Sequence, residues 1–154
     1  MTDPQLSLWA APAAVGFALF FNVRRRTLVP IALLAVAAHL ARSGLADLGV
    51  HLAGASLAAA FLVGAAAYLL GPATGEASPV YAFAPVIPLI PGTLLFDALE
   101  SVGELVSSAG ATDTATVLVV SALDNLFTAG AVVLALALGT TAPGLLRPRA
   151  RRGA

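Results

Sequence analysis

Apolar residues in this chain come in long, nearly uninterrupted runs, without the alternation of a surface strand or the one-faced spacing of a surface helix. Leu52 to Leu70 is a charge-free run of Ala, Leu, Gly, Val and Phe, preceded by His51 and followed by Gly71-Pro72. About 20 apolar residues cross a bilayer core, so this run predicts a transmembrane helix. Ala115 to Leu138 is long enough with tilt, and Leu6 to Val23 is just long enough, with Pro12 expected to bend it. Val80 to Leu99 has the length but contains Pro85, Pro88 and Pro91-Gly92. Each proline removes a backbone donor and displaces the carbonyl four residues earlier, so this span is expected to be kinked or broken. Leu28 to Ala41 is shorter and is followed by Arg42 and Ser43-Gly44; it reads as a span or a re-entrant segment.

The expected fold is therefore all-α and polytopic, a bundle of about five transmembrane helices with the fourth broken by prolines. It forms a single membrane domain over residues 1–146, with segments at about 6–23, 28–42, 51–70, 80–99 and 115–139, and an Arg-rich tail over 147–154. Arginine in short loops favours the cytoplasmic side. Five spans with the N-terminus outside place Arg24, Arg25 and Arg26 in a cytoplasmic loop and Arg147, Arg149, Arg151 and Arg152 in a cytoplasmic tail. If the second segment did not cross, these clusters would lie on opposite faces, which favours five. Tyr68 and Tyr81 are then expected at the inner interface and Trp9 near the outer one. The first segment lacks a preceding basic region and a small-residue cleavage site, so it is expected to be retained.

Composition changes the picture mainly by exclusion. Of 154 residues, 59% are hydrophobic and 10% charged, against roughly 45–50% and about 25% in a soluble domain. Eight Arg balance eight acidic residues, leaving no cationic excess for nucleic acid. The absence of Cys excludes disulfides and thiolate chemistry. There is no phosphate-binding loop, H-E-x-x-H or G-x-S-x-G motif, so neither an enzyme nor a cofactor is implied.

Three groups of residues carry candidate chemistry. Ser121, Asp124, Asn125 and Thr128 share one stripe of the fifth segment. A carboxylate at membrane depth is expected to face the bundle interior, a partner or water; the stripe reads as a transport site or as hydrogen-bonding glue between helices. The proline run would free the carbonyls of Tyr81, Ala84 and Ile87, which is tolerated only against protein or water, and broken helices of this kind line transporter sites. A plain kink is the alternative. His39 and Arg42 share a helix face near the outer end of the second segment. Arg42 suits a substrate carboxylate with His39 as a titrating neighbour, or else it snorkels or pairs with Asp47. Asp97, Glu100 and Glu104 read as a solvated helix end, and the small pairs Gly54/Ala58 and Ala60/Gly64 as packing surfaces.

These pieces, taken in order, resemble the threonine/serine exporter (ThrE) family, in particular its small YjjB-like membrane subunit. The matching stretches are Pro12 to Val23 with Asn22, His39-x-x-Arg42, Val86-Ile-Pro88-Leu-Ile-Pro91-Gly92, Asn125-Leu-Phe-Thr128-Ala and Pro143-Gly-Leu. The resemblance implies an inner-membrane subunit of a secondary exporter of threonine and serine or of a dicarboxylate such as succinate. It implies a larger ThrE- or YjjP-like partner subunit and leaves room for a homo-oligomer. The expected substrate and proton pathway comprises Asn22, His39, Arg42, Pro88, Pro91, Gly92, Ser121, Asn125 and Thr128. Of these Ser121 enters on the residue reading alone, and Asp124 joins them on the same ground.

Overall fold

A computed structural model describes residues 4–107 and 112–146. Seven α-helices follow in order: α1 Pro4–Leu8, α2 Ala10–Phe20, α3 Leu28–Asp47, α4 Leu52–Thr74, α5 Ser78–Val86, α6 Gly92–Ser107 and α7 Thr112–Leu146. Short 3-10 turns at Arg25–Thr27 and Ile87–Leu89 precede α3 and follow α5. Helices α3, α4 and α7 are long and apolar enough to cross a membrane, and α5 with α6 makes a fourth, bent by 42° at the break. The chain is thus an all-α polytopic membrane protein.

Several boundaries differ from expectation for identifiable reasons. The first apolar segment is split at Trp9 into α1 and the 11-residue α2, shorter than a span. Pro12 has no N–H to give the Leu8 carbonyl, so the ladder restarts with Pro12 in the first turn of α2, where that donor is not needed. The second segment is a 20-residue helix that passes Ser43-Gly44 and ends at Asp47, long enough to span. Helix α4 runs through Pro72 to Thr74 and stops where Gly75 takes a left-handed conformation, φ 69°. The tail beyond Leu146 lies outside the described residues.

The core consists largely of alanine. Ala10, Ala14 and Ala18 of α2 pack with Ile31 and Ala35 of α3, Ala67 of α4, and Tyr81 and Ala84 of α5. A second cluster joins Ala38 of α3, Ala59, Ala60 and Val63 of α4, Leu89, and Val132 and Leu136 of α7. Small side chains let backbones approach where lipid removes most of the hydrophobic drive to associate. Of the two small-residue pairs, Ala60/Gly64 meets α7, whereas Gly54 and Ala58 are exposed. Tyr81 is fully buried, and its hydroxyl donates to Thr74 Oγ1 at 2.9 Å at the C-terminal end of α4. Trp9 is exposed, as an interface ring would be.

Helices α4 and α7 run parallel: Gly139 lies against Leu57, Ala60 and Phe61, Gly64 against Thr140, and Gly144 against Tyr68. Parallel neighbours require the chain between them to cross back, which α5 and α6 do. The end of α7 therefore lies at the same end of the bundle as the α2–α3 loop with Arg24, Arg25 and Arg26. Because α7 has 35 residues to the 23 of α4 and their C-terminal ends nearly align, the surplus projects past the N-terminal end of α4, with α6 as its neighbour.

The closest approach is testable. A Cβ added at Gly139 would sit 2.6 Å from the Leu57 carbonyl oxygen and 2.7 Å from Ala60 Cβ, and backbone cannot yield as a flexible side chain does. Overpacking of this kind costs about 1–3 kcal/mol. Gly139→Val should lower the thermal unfolding midpoint in detergent by several degrees, whereas Gly130→Ala, which meets no atom within 4 Å and restricts the unfolded chain, should leave it unchanged or raise it slightly.

Candidate substrate site

The proline-broken span and the polar face of α3 meet. After the turn Ile87–Leu89 the chain is extended at Ile90, φ −63° and ψ 130°, and Pro91 has no N–H. The Ile87 carbonyl accepts from Ile90 N at 3.0 Å, and the Ile90 carbonyl from Gly92 N at 2.8 Å. In a continuous helix the Leu89 carbonyl would accept from Thr93; here Arg42 Nη1 donates to it at 2.7 Å. Leu89 is itself fully buried in the second core cluster, so the break is anchored in the middle of the bundle.

His39 lies one turn before Arg42. Its Nδ1 is 3.0 Å from Ser7 Oγ on α1 and 3.5 Å from Ser43 Oγ. Ser7 is completely buried, so α1 docks on α3 through this hydrogen bond. Arg42 forms no ion pair with a carboxylate among the described residues, so of the alternatives weighed for it pairing with Asp47 is not the one observed, and the guanidinium meets the Leu89 carbonyl instead. Its guanidinium carries five donors in a planar fork suited to a carboxylate, and one contact uses only part of that capacity. Ser56 of α4 is fully buried, and its hydroxyl makes no hydrogen bond. It shares the α4 stripe with Ala59, Ala60 and Val63 that faces Ala38 and Leu89.

The structure thus unites His39 and Arg42 with the Pro88–Gly92 break. It does not bring the other expected residues there. Asn22 closes α2 at the opposite end of α3: its φ of 56° and the bonds Asn22 N to Leu19 O, 2.9 Å, and Val23 N to Ala18 O, 3.0 Å, make a left-handed helix cap. Ser121 and Asp124 are exposed and Asn125 and Thr128 half-buried, so of the three expected surroundings of the stripe a partner or water fits Ser121 and Asp124, and the interior of this bundle does not. The reason is the overhang of α7, which carries Ser121 and Asp124 past α4. Asp97, Glu100 and Glu104 are exposed, as a solvated helix end requires. A groove of about 500 Å³ between α5 and α7 is lined by Phe83, Val86, Ile90, Val133 and Leu136 and is too apolar for a hydrophilic substrate.

Residue patterning missed the Leu89 carbonyl because the freed carbonyls were counted back from each proline, whereas Leu89 loses its donor through the extended Ile90. Ser7 and Ser56 gave no signal, each being one hydroxyl in an apolar run.

A model of the Threonine/Serine exporter, ThrE, family matches residues 6–146 of the chain. The chain belongs to the ThrE family. No solved structure matches it. The ThrE assignment gives the broken span and its arginine a membrane-transport setting, and the matched region contains every described helix from α2 to α7.

This ThrE chain has a second polar cluster at the far end of the bundle. Arg24 Nη1 and Arg26 Nη2 donate to Glu76 Oε1 at 3.0 and 2.8 Å, and Arg26 Nη2 also to the Thr74 carbonyl at 3.3 Å. The α2–α3 loop is thereby clamped to the α4–α5 turn. The hydrogen bond from Arg26, with the positive charges of Arg24 and Arg26, holds the Glu76 carboxyl below its ordinary range. A group lowered in the folded state stabilises fully above its ordinary value and loses that contribution as pH falls through the lowered one. Acidification from neutral pH through the carboxylate range should therefore lower the thermal midpoint, and Glu76→Gln should flatten that part of the profile. Both effects should be modest and weaken with salt, since the two guanidinium groups are exposed.

Proposed function

We propose that this ThrE-family chain is the small membrane subunit of a secondary exporter of carboxylate-bearing, hydrophilic metabolites: threonine and serine, or dicarboxylates such as succinate. It works with a larger ThrE- or YjjP-like subunit in a bacterial inner membrane, N-terminus outside and C-terminus cytoplasmic, and is driven by the proton gradient. The observation that carries this reading is Arg42, a half-buried guanidinium bound to one neutral carbonyl at a helix break. An intramembrane cation with no carboxylate partner among the described residues is a substrate-site candidate by default. His39 is the neighbouring titratable group, and the break is the element able to move.

A second reading, a structural or assembly subunit without substrate contact, draws on the exposed Ser121 and Asp124. Exposed polar side chains along one seam of an otherwise apolar helix suit a protein neighbour that hydrogen-bonds to them. The two readings separate in proteoliposomes holding this chain, the larger subunit, or both, under an imposed pH gradient. The exporter reading expects efflux of labelled threonine, serine or succinate only with both, and a loss of about tenfold or more in Arg42→Gln with insertion intact. Full efflux from the larger subunit alone would establish the assembly role instead.

A further inference from the structure

The Leu89 carbonyl and a substrate carboxylate are competing acceptors for one guanidinium. In this structure the carbonyl holds it, at 2.7 Å. A carboxylate is the stronger acceptor, being charged and able to take two parallel N–H bonds from the arginine fork. The amides beside the carbonyl cannot replace Arg42 where they stand: Ile90 is extended, Pro91 carries no N–H, Ile90 N and Gly92 N are given to the carbonyls of Ile87 and Ile90, and Thr93 N, the donor a continuous helix would supply, reaches Leu89 only if the break closes. A carbonyl left without a donor at membrane depth is unfavourable, so the segment around it must rearrange. That segment can rearrange. It is already the 42° bend between α5 and α6, and Gly92 sits in open space, with no atom within 4 Å of an added Cβ.

We infer that Arg42 is a ligand-operated latch on the broken span: with no ligand it holds the Leu89 carbonyl and fixes the bend between α5 and α6, and a substrate carboxylate takes the guanidinium and frees the bend. The inference rests on the exporter reading for the ligand's chemistry and adds what binding does to the fold. It makes Arg42 a residue that both recognises the ligand and positions the mobile element. It also accounts for the partnering of a strong cation with a neutral acceptor, since an ion pair inside the bundle would compete with the ligand far more strongly. The bond between Ser7 and His39 serves to hold α3 at this height while the break moves.

The chain contains no Cys, so spin labels at Phe83→Cys on α5 and Val102→Cys on α6, both exposed positions, report the bend alone. Distances would be measured by electron–electron resonance in nanodiscs cut directly from native membranes, so that any partner subunit travels with the chain. Succinate or threonine would be added, with its binding followed separately by isotope-labelled ligand. The parent protein should give one narrow distance distribution without ligand and a shifted or broadened one with it. Arg42→Leu should be shifted or broadened without ligand and should not respond. Arg42→Gln, whose amide stops two atoms short of the Nη1 that meets Leu89 and offers no charge to a carboxylate, should also be shifted or broadened without ligand and lose the response; being polar, it serves if Arg42→Leu does not fold. Ligand bound with the distribution unmoved overturns the latch and leaves the exporter reading standing, as does an Arg42→Leu distribution identical to the parent's. No binding of either ligand to the parent overturns both.

Discussion

A carbonyl freed inside a membrane must be met by a donor from the protein itself, and at Leu89 that donor is a cation. The bond from Arg42 joins the two unusual features of the chain, an arginine within a span and a span broken by prolines, and each accounts for the other. Without the break, Arg42 would be an intramembrane charge without an acceptor. Without Arg42, the extended residue at Ile90 would leave the Leu89 carbonyl unpaired. Leu89 is buried among Ala38, Ala59, Ala60 and Val63 while its carbonyl points to α3, so the same residue fixes the break to the bundle and to the arginine.

The rest of the bundle is arranged around keeping that junction in place with very little side-chain bulk. Helix α4 is the common neighbour of α3, α5 and α7, and alanine and glycine dominate its buried face. Where α4 meets α7 the backbones touch through Gly64 and Gly139, an approach any larger residue would prevent. Close packing of this sort gains contact area from backbone atoms and costs little side-chain entropy, which matters where lipid is as apolar as leucine. Polar bonds then pin the two ends: Ser7 to His39 at one, Arg24 and Arg26 to Glu76 at the other.

Much of this was legible in the sequence because membrane segments announce themselves by length and apolarity, and prolines by the donors they lack. The runs at Leu52 and Ala115 and the broken fourth span are where the apolar pattern puts them. The second segment looked short because Arg42 and Ser43-Gly44 interrupt its hydropathy, yet a helix carries an arginine whose guanidinium reaches an acceptor. Pro12 reads as a bend and is in fact a restart, since a proline is harmless in a first turn but not after it. The i, i+3, i+4, i+7 spacing correctly groups Ser121, Asp124, Asn125 and Thr128 on one face. It cannot say which way that face turns, because this depends on α7 outrunning α4, a matter of three-dimensional register. The burial of Tyr81 was hidden for the same reason, being decided by α2, α3 and α4 packing around it.

The exposed stripe on α7 bears on what this chain is by itself. Asp124 projects from an otherwise apolar helix, beside Val117, Val120, Leu123 and Phe127, all exposed. A surface that is apolar enough to sit in a membrane and polar along one seam is the kind that another helix covers through interhelical hydrogen bonds, and Ser121, Asn125 and Thr128 add donors to the same seam. The bundle's own packing therefore divides its polar groups in two. Those at the break are enclosed by α1, α3 and the Ile87–Leu89 turn and have their first acceptors within the chain, while those on α7 face away from every helix but α6. The enclosed set has the chemistry to hold a ligand, and the outward set has the chemistry to meet another helix.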